Sequence, residues 1–193
     1  IVSAITVANS AATGYGFVIT NNYIGGSARY CGGTPLTVSI SGTTVNCQFY
    51  GIQIYTYNGF QSAVVSKNKI NNFLWRSSSS NVSVPGVWTG IFSTNTNATI
   101  GGVLGNGNII GCANGADSIT VELSTGVAGT LISGIELSAA SGPAILASVK
   151  NNIIGGITIN SINSTGTNVS TNGGVFRGIG LAISASNNLI DSN

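Results

Sequence analysis

Two short signatures, repeated in one common register, constrain the fold of this chain more than any other feature. A Gly-Ile pair recurs at Gly51-Ile52, Gly90-Ile91, Gly134-Ile135 and Gly178-Ile179, at intervals of 39, 44 and 44 residues. Tyr15-Gly16-Phe17 reads as a degenerate fifth copy. A second signature, Asn-x-Ile, begins at Asn22, Asn68, Asn108, Asn152 and Asn188, at intervals of 46, 40, 44 and 36. In the three middle copies the Gly precedes the Asn by 17, 18 and 18 residues. A fixed period of this kind marks an array in which each unit buries its apolar face against the next.

The contents of the unit decide which array it is. Between the signatures lie short alternating runs, such as Leu36, Val38 and Ile40, or Ile119, Val121 and Leu123, closed by Gly, Asn and Ser. Alternation at period two, punctuated by turn formers, predicts strands and turns. Gly, Asn, Ser and Thr, all poor in helix interiors, dominate throughout, and no long window carries capped helical spacing. The predicted fold is therefore all-β, a right-handed parallel β-helix (β-solenoid) with about two coils per ~44-residue repeat. At roughly 20 to 22 residues per coil, about nine coils spaced about 4.8 Å apart make a rod about 40 to 45 Å long. A propeller has a similar repeat length, but no Trp-Asp or Gly-His dipeptide marks a blade.

Residues 1–193 are read as one domain, with an insertion at 27–48 flanked by Cys31 and Cys47. Two readings of the cysteines stand: a Cys31–Cys47 disulfide stapling the insertion in an extracytoplasmic protein, or small buried hydrophobes. Cys112 is expected to face inward. Ser161 to Gly174 reads as a long polar turn projecting from the rod. With no methionine at position 1 and no polar cap at either end, the chain is expected to be a segment of a longer solenoid.

Charge narrows the function. Only 5% of residues are charged while 42% are hydrophobic, yet no apolar run approaches a membrane-spanning length. The six bases are not clustered as a nucleic-acid partner would require, only Lys67 and Lys69 being close in sequence. With no histidine, acid-base chemistry would have to come from Asp117, Glu122, Glu136 and Asp191. Glu122 and Glu136 both alternate with apolar neighbours and read as solvated groups on a sheet face. Neither a metal site nor an activated cysteine is spelled out. The expectation is a non-enzyme without cofactors.

Two sets of side chains remain. The recurrent Asn22, Asn68, Asn108, Asn152 and Asn188 read as a structural turn ladder, since Asn tolerates left-handed corners and stacked amides bond to one another. Tyr50, Tyr55, Tyr57 and Phe60 are the weak ligand-binding candidates, because aromatics beside hydroxyl and amide groups stack on sugar rings. Trp75 and Trp88 are expected in the core.

The motifs Asn22-Tyr23-Ile24-Gly25-Gly26, Tyr50-Gly51-Ile52, Val87-Trp88-Thr89-Gly90-Ile91-Phe92, Thr99-Ile100-Gly101-Gly102-Val103 and Asn151-Asn152-Ile153-Ile154-Gly155 resemble the repeats of giant secreted β-helix proteins of Bacteroidota. Asp117-Ser118-Ile119 is similar to the short O-glycosylation motif of that group. The resemblance implies an extracellular or cell-surface adhesin, stalk or filament segment exported by the type nine route, with contacts to neighbouring repeats, self-association or surface glycans, and no membrane insertion. Two alternatives accompany it: a non-catalytic part of a β-helix polysaccharide lyase or depolymerase, and an ice-binding module built on Thr94, Thr96 and Thr99.

Overall fold

The computed structural model describes residues 1–9, 16–40, 47–56, 62–77, 85–112, 118–123, 130–139, 146–161, 175–182 and 188–193. Among these residues there are eighteen strands and no α-helix. In chain order they are β1 (Val2–Asn9), β2 (Val18–Thr20), β3 (Tyr23–Ile24) and β4 (Leu36–Ile40), then β5 (Phe49–Thr56), β6 (Ala63–Ser66), β7 (Lys69–Ile70) and β8 (Phe73–Ser77). The third group is β9 (Trp88–Thr94), β10 (Ala98–Gly101), β11 (Ile109–Gly111) and β12 (Ile119–Leu123). The fourth is β13 (Leu131–Ser138), β14 (Ala147–Lys150), β15 (Ile153–Gly155) and β16 (Ile157–Ser161), followed by β17 (Val175–Ala182) and β18 (Leu189–Asp191).

Every fourth strand belongs to the same sheet. The first sheet has the order β1-β5-β9-β13-β17, the second β2-β6-β10-β14-β18, the third β3-β7-β11-β15 and the fourth β4-β8-β12-β16. All pairings between these strands are parallel. The chain is thus all-β with parallel sheets, compatible with a β-solenoid.

One expectation about the array is corrected. Ile5, Ile52, Ile91, Ile135 and Ile179 are stacked in register, so partners lie one whole repeat apart. The repeat of about 44 residues is one circuit of four strands, not two coils. Five strands in the longest sheets, spaced about 4.8 Å apart, make a stack about 20 Å deep, half the predicted length. The register also places Ala4-Ile5, and not Tyr15-Gly16-Phe17, at the first Gly-Ile station.

The two signatures turn out to be opposite walls of one core. Ile52, Ile91 and Ile135 of the first sheet and Ile70 and Ile110 of the third are fully buried, as expected for parallel sheets covered by their own stack. A Cβ on Gly90 would come within 2.8 Å of Ile110 Cγ2 and 2.7 Å of Gly134 O. Gly51 meets Ile70 and Gly90 O in the same way, and Gly134 meets Ile154 and Gly178 O. Gly178, in the last circuit, has nothing within 4 Å. The glycine is therefore the place where the Ile of Asn-x-Ile presses on the first sheet, which explains the near-constant spacing between the signatures.

Within this core Phe49 packs on Phe73, Trp75 and Trp88 with ring centroids 5.0, 5.3 and 6.0 Å away. Both tryptophans are fully buried, as their sequence context predicts.

The polar side of each corner is closed by an amide ladder. Asn22 Nδ2 donates to Asn68 Oδ1 at 2.9 Å, Asn68 Nδ2 to Asn108 Oδ1 at 2.9 Å, and Asn108 Nδ2 to Asn152 Oδ1 at 2.8 Å. The fifth rung is Asn193, whose Oδ1 accepts from Asn152 Nδ2 at 2.9 Å. Asn188 is not in the ladder; it precedes β18 in the second sheet and accepts from the Ala147 N–H. The triplet Asn188-Leu189-Ile190 mimics the signature one corner too early. The left-handed residue at this corner is also not the ladder Asn but the one before it: Asn21, Lys67, Asn151 and Ser192 all have φ between 54° and 59°.

The two described departures from regularity flank the third sheet. Residues 25–35 fill the corner between β3 and β4 that residues 71–72 fill in the next circuit, and residues 102–108 fill a corner between β10 and β11 that is otherwise two residues long. The predicted insertion at 27–48 is thereby narrowed, since Leu36–Ile40 is a regular strand paired with β8. The predicted long turn after Ser161 lies outside the described residues. Among the described residues no helix is long and apolar enough to cross a membrane.

Candidate functional site on the third sheet

The middle residue of each Asn-x-Ile points away from the core, because the Asn and the Ile on either side are committed to the ladder and the interior. This places Tyr23, Lys69, Ile109 and Ile153 side by side in register across the third sheet. The row is chemically graded, from a phenol and an ammonium at one end to two aliphatic groups at the other.

Both irregular corners border this row. In the first, Ser27 and Ala28 N–H groups donate to Gly32 O, and Asn72 Nδ2 donates to Cys31 O at 2.9 Å. That holds Tyr30 over β3, where its ring meets Tyr23 edge-on with centroids 4.9 Å apart. In the second, Lys67 N–H donates to Asn106 O at 3.1 Å and Asn151 Nδ2 to Gly102 O at 2.6 Å. The loop is thus pinned to the circuits on both sides, and its tip, Leu104, is 89% exposed.

A hollow lies on each side of that loop. The larger, about 480 Å³, is lined by Leu104, Ile109, Ile153 and the amides of Asn151 and Asn193, with no ionisable side chain. The smaller, about 240 Å³, is lined by Asn21, Tyr23, Lys67, Lys69 and the glycines of the loop. The smaller one carries the chemistry, since it alone offers charge, an aromatic ring and an amide together.

The ligand-binding set predicted from the sequence is not assembled. Tyr50 is buried; it packs on Phe92 at 5.1 Å and donates to Gln48 Oε1 at 2.8 Å. Burial pushes its phenol up to about 12. Tyr55 is exposed on the first sheet, and Tyr57 and Phe60 lie outside the described residues.

The carboxylates do not form a pair either. Glu122 lies on β12 of the fourth sheet with its Oε2 accepting from Arg76 Nε. Glu136 lies on β13 of the first sheet and, contrary to expectation, is fully buried rather than solvated. Its Oε1 accepts from Arg177 Nη1 at 3.0 Å and its Oε2 from Ser133 Oγ at 3.1 Å. Burial raises its pKa, and Arg177 and Ser133 oppose the rise. Gly180 is opposite it in register, where a Cβ would collide with the carboxylate. Asp117 is outside the described residues. Among the described residues no group of three or more metal-ligating side chains occurs.

Cys31 and Cys47 carry free thiols. Cys31 is buried beneath the corner loop, with Sγ 3.6 Å from Lys69 O and its pKa raised by that burial. Cys112 is half-buried.

The row on the third sheet was missed because Tyr23 and Lys69 are 46 residues apart. Only superposing the repeats on Asn-x-Ile shows that they share a station.

A parallel-sheet stack with graded side chains beside two projecting corners is the class of scaffold seen here. No protein family, curated protein or solved structure matches this chain.

Proposed function

We propose that the chain is a non-enzymatic extracellular segment of a right-handed β-helix, acting as a stalk, filament or adhesin. Right-handed winding follows from the strong preference of parallel β-crossovers for that hand. The observation that carries the reading is the unbroken parallel pairing of all four sheets, locked at one corner by a continuous amide ladder. Pulled from its two ends, such a stack yields only as each circuit is peeled from its neighbour, and at every step the pairing of four strands and a rung of the ladder oppose the peeling. Carboxylates engaged by separate arginines on separate sheets favour a structural over a hydrolytic role. The ice-binding alternative loses support, because Thr96 is buried and its hydroxyl is taken by Thr56 and Thr94.

Two measurements test this. Single-molecule pulling on the chain, tethered at its ends, is expected to show a mechanically resistant unit that yields circuit by circuit. Incubation with neutral and acidic polysaccharides is expected to release no new reducing or unsaturated ends; turnover by this chain would refute the reading.

A further inference from the structure

The positive charge of the described chain is not spread evenly. Arg76 is engaged by Glu122, Arg177 by Glu136, and Lys150 is in register with Asp191. Four bases have no carboxylate at ion-pair distance among the described residues, and of these Lys150 has an acid beside it in register, which leaves Arg29, Lys67 and Lys69. These three sit at the same place. Arg29 is in the corner loop packed on β3 and β7, Lys69 is on β7 itself, and Lys67 is at the left-handed corner just before it.

Two tyrosines accompany them. Tyr23 is 51% exposed and beside Lys69 in register, and Tyr30 is 66% exposed against Tyr23. Exposed phenol rings have no stabilising role in a core, and an uncompensated cation next to another one raises the energy of the free protein. Both features are relieved by an anion with an apolar face.

We infer that the hollow formed by Asn21, Tyr23, Lys67 and Lys69, beside the Tyr30 ring packed on Tyr23, binds an acidic sugar residue of a polysaccharide strand. This deepens the proposed adhesive role and rests on it. The 240 Å³ hollow is smaller than the roughly 300–1,000 Å³ that encloses a drug-sized ligand, so it takes one ring of a strand that continues across the surface. The carboxylate or sulfate faces the two ammonium groups, a sugar face lies on the Tyr23 ring, and ring hydroxyls meet the Asn21 amide. The neighbouring hollow, where Leu104 and Ile153 meet the Asn151 and Asn193 amides, offers the strand no charged side chain, so charge sets where it docks. A nucleic acid is disfavoured, because three cations track too little of a phosphate backbone.

The test is isothermal titration calorimetry on the full chain at low salt with four probes: a hexagalacturonate, a heparin hexasaccharide, a neutral glucan hexamer and a short single-stranded DNA. At least one acidic sugar is expected to bind, the carboxylated and sulfated arms telling the two anionic chemistries apart, while the glucan does not bind. Lys67→Asn with Lys69→Gln is expected to weaken that binding at least tenfold, and Tyr23→Ala at least threefold; Asn at 67 keeps the left-handed corner. Arg76→Gln, on another sheet, leaves it unchanged. Binding also falls as salt is raised, since the contacts are exposed. Equal binding of the glucan, tighter binding of DNA, an unaffected double-lysine variant, or no binding of either acidic probe would each overturn the site. Any of these results with mechanical resistance intact removes the site and leaves the stalk reading standing, whereas enzymatic turnover removes the stalk reading itself.

Discussion

Asn108→Ala removes the centre of the amide ladder, and its cost can be worked from the bonds. Asn108 Oδ1 accepts from the Asn68 N–H and from Asn68 Nδ2, at 3.1 and 2.9 Å. Its Nδ2 donates to Val65 O and Asn152 Oδ1, both at 2.8 Å. All four bonds are buried. A net contribution of about 0.5–1.5 kcal/mol each gives about 2–6 kcal/mol, and the stranded Asn68 N–H and Val65 carbonyl hold the loss in the upper half of that range. For a chain of this length about 4 kcal/mol lowers Tm by roughly 8–16 °C. Asn22→Ala, at the end rung, gives up only the Asn68 Oδ1 and Thr20 O contacts of its Nδ2 in a half-exposed setting, so about 1 kcal/mol or less is expected. Asn108→Asp is no rescue, because its second oxygen would face Val65 O and Asn152 Oδ1. The assay is urea unfolding followed by far-ultraviolet circular dichroism, with the three variants in parallel. If Asn108→Ala and Asn22→Ala were equally mild, the ladder would not bear the stability assigned to it.

Gly90→Ala is expected to cost about 1–3 kcal/mol or more, since its Cβ would be 2.7 Å from the Gly134 carbonyl, while Gly178→Ala, with open space around it, stays within about 1 kcal/mol; denaturant midpoints decide. Glu136 has a folded-state pKa raised by burial, so its contribution is fully present below the ordinary carboxylate range and is lost as pH rises through the raised value. Glu136→Gln is therefore expected to flatten the fall in stability over that window, as read from melting temperatures across mildly acidic to neutral pH. Arg177→Ala strands the buried carboxylate; because Arg177 is itself 40% exposed, the loss should come at the lower end of about 3–5 kcal/mol. Arg76→Ala, which breaks a half-exposed pair with Glu122, costs at most about 1 kcal/mol in the same melts.

How far the sequence speaks depends on what each residue contacts. The all-β character, the repeat and its boundaries were legible from Gly-Ile and Asn-x-Ile, because each is dictated by a local demand: a glycine where a neighbouring Ile leaves no room for a Cβ, and an amide where a corner leaves backbone groups unpaired. Four rungs of the ladder and the burial of Trp75 and Trp88 followed from the same logic. The number of circuits did not. A period says which residues are equivalent, and not how many sheets the chain crosses before it returns, so only the pairing of Ile52 with Ile91 separates one circuit of four strands from two of fewer.

The functional surface was the least legible. Tyr50 reads from the sequence as a ring in the turn beside the Tyr55 strand, yet it lies within β5 and is buried against Phe92, a neighbour one circuit away. Tyr23 and Lys69 fill the variable position of Asn-x-Ile in successive repeats, and they meet only because parallel stacking converts a separation of one repeat into a spacing of about 4.8 Å. Sequence alone determined the repeating unit, since its causes lie within one circuit. Which charges end up adjacent was decided by the tertiary stack, since it is register between circuits that brings them together.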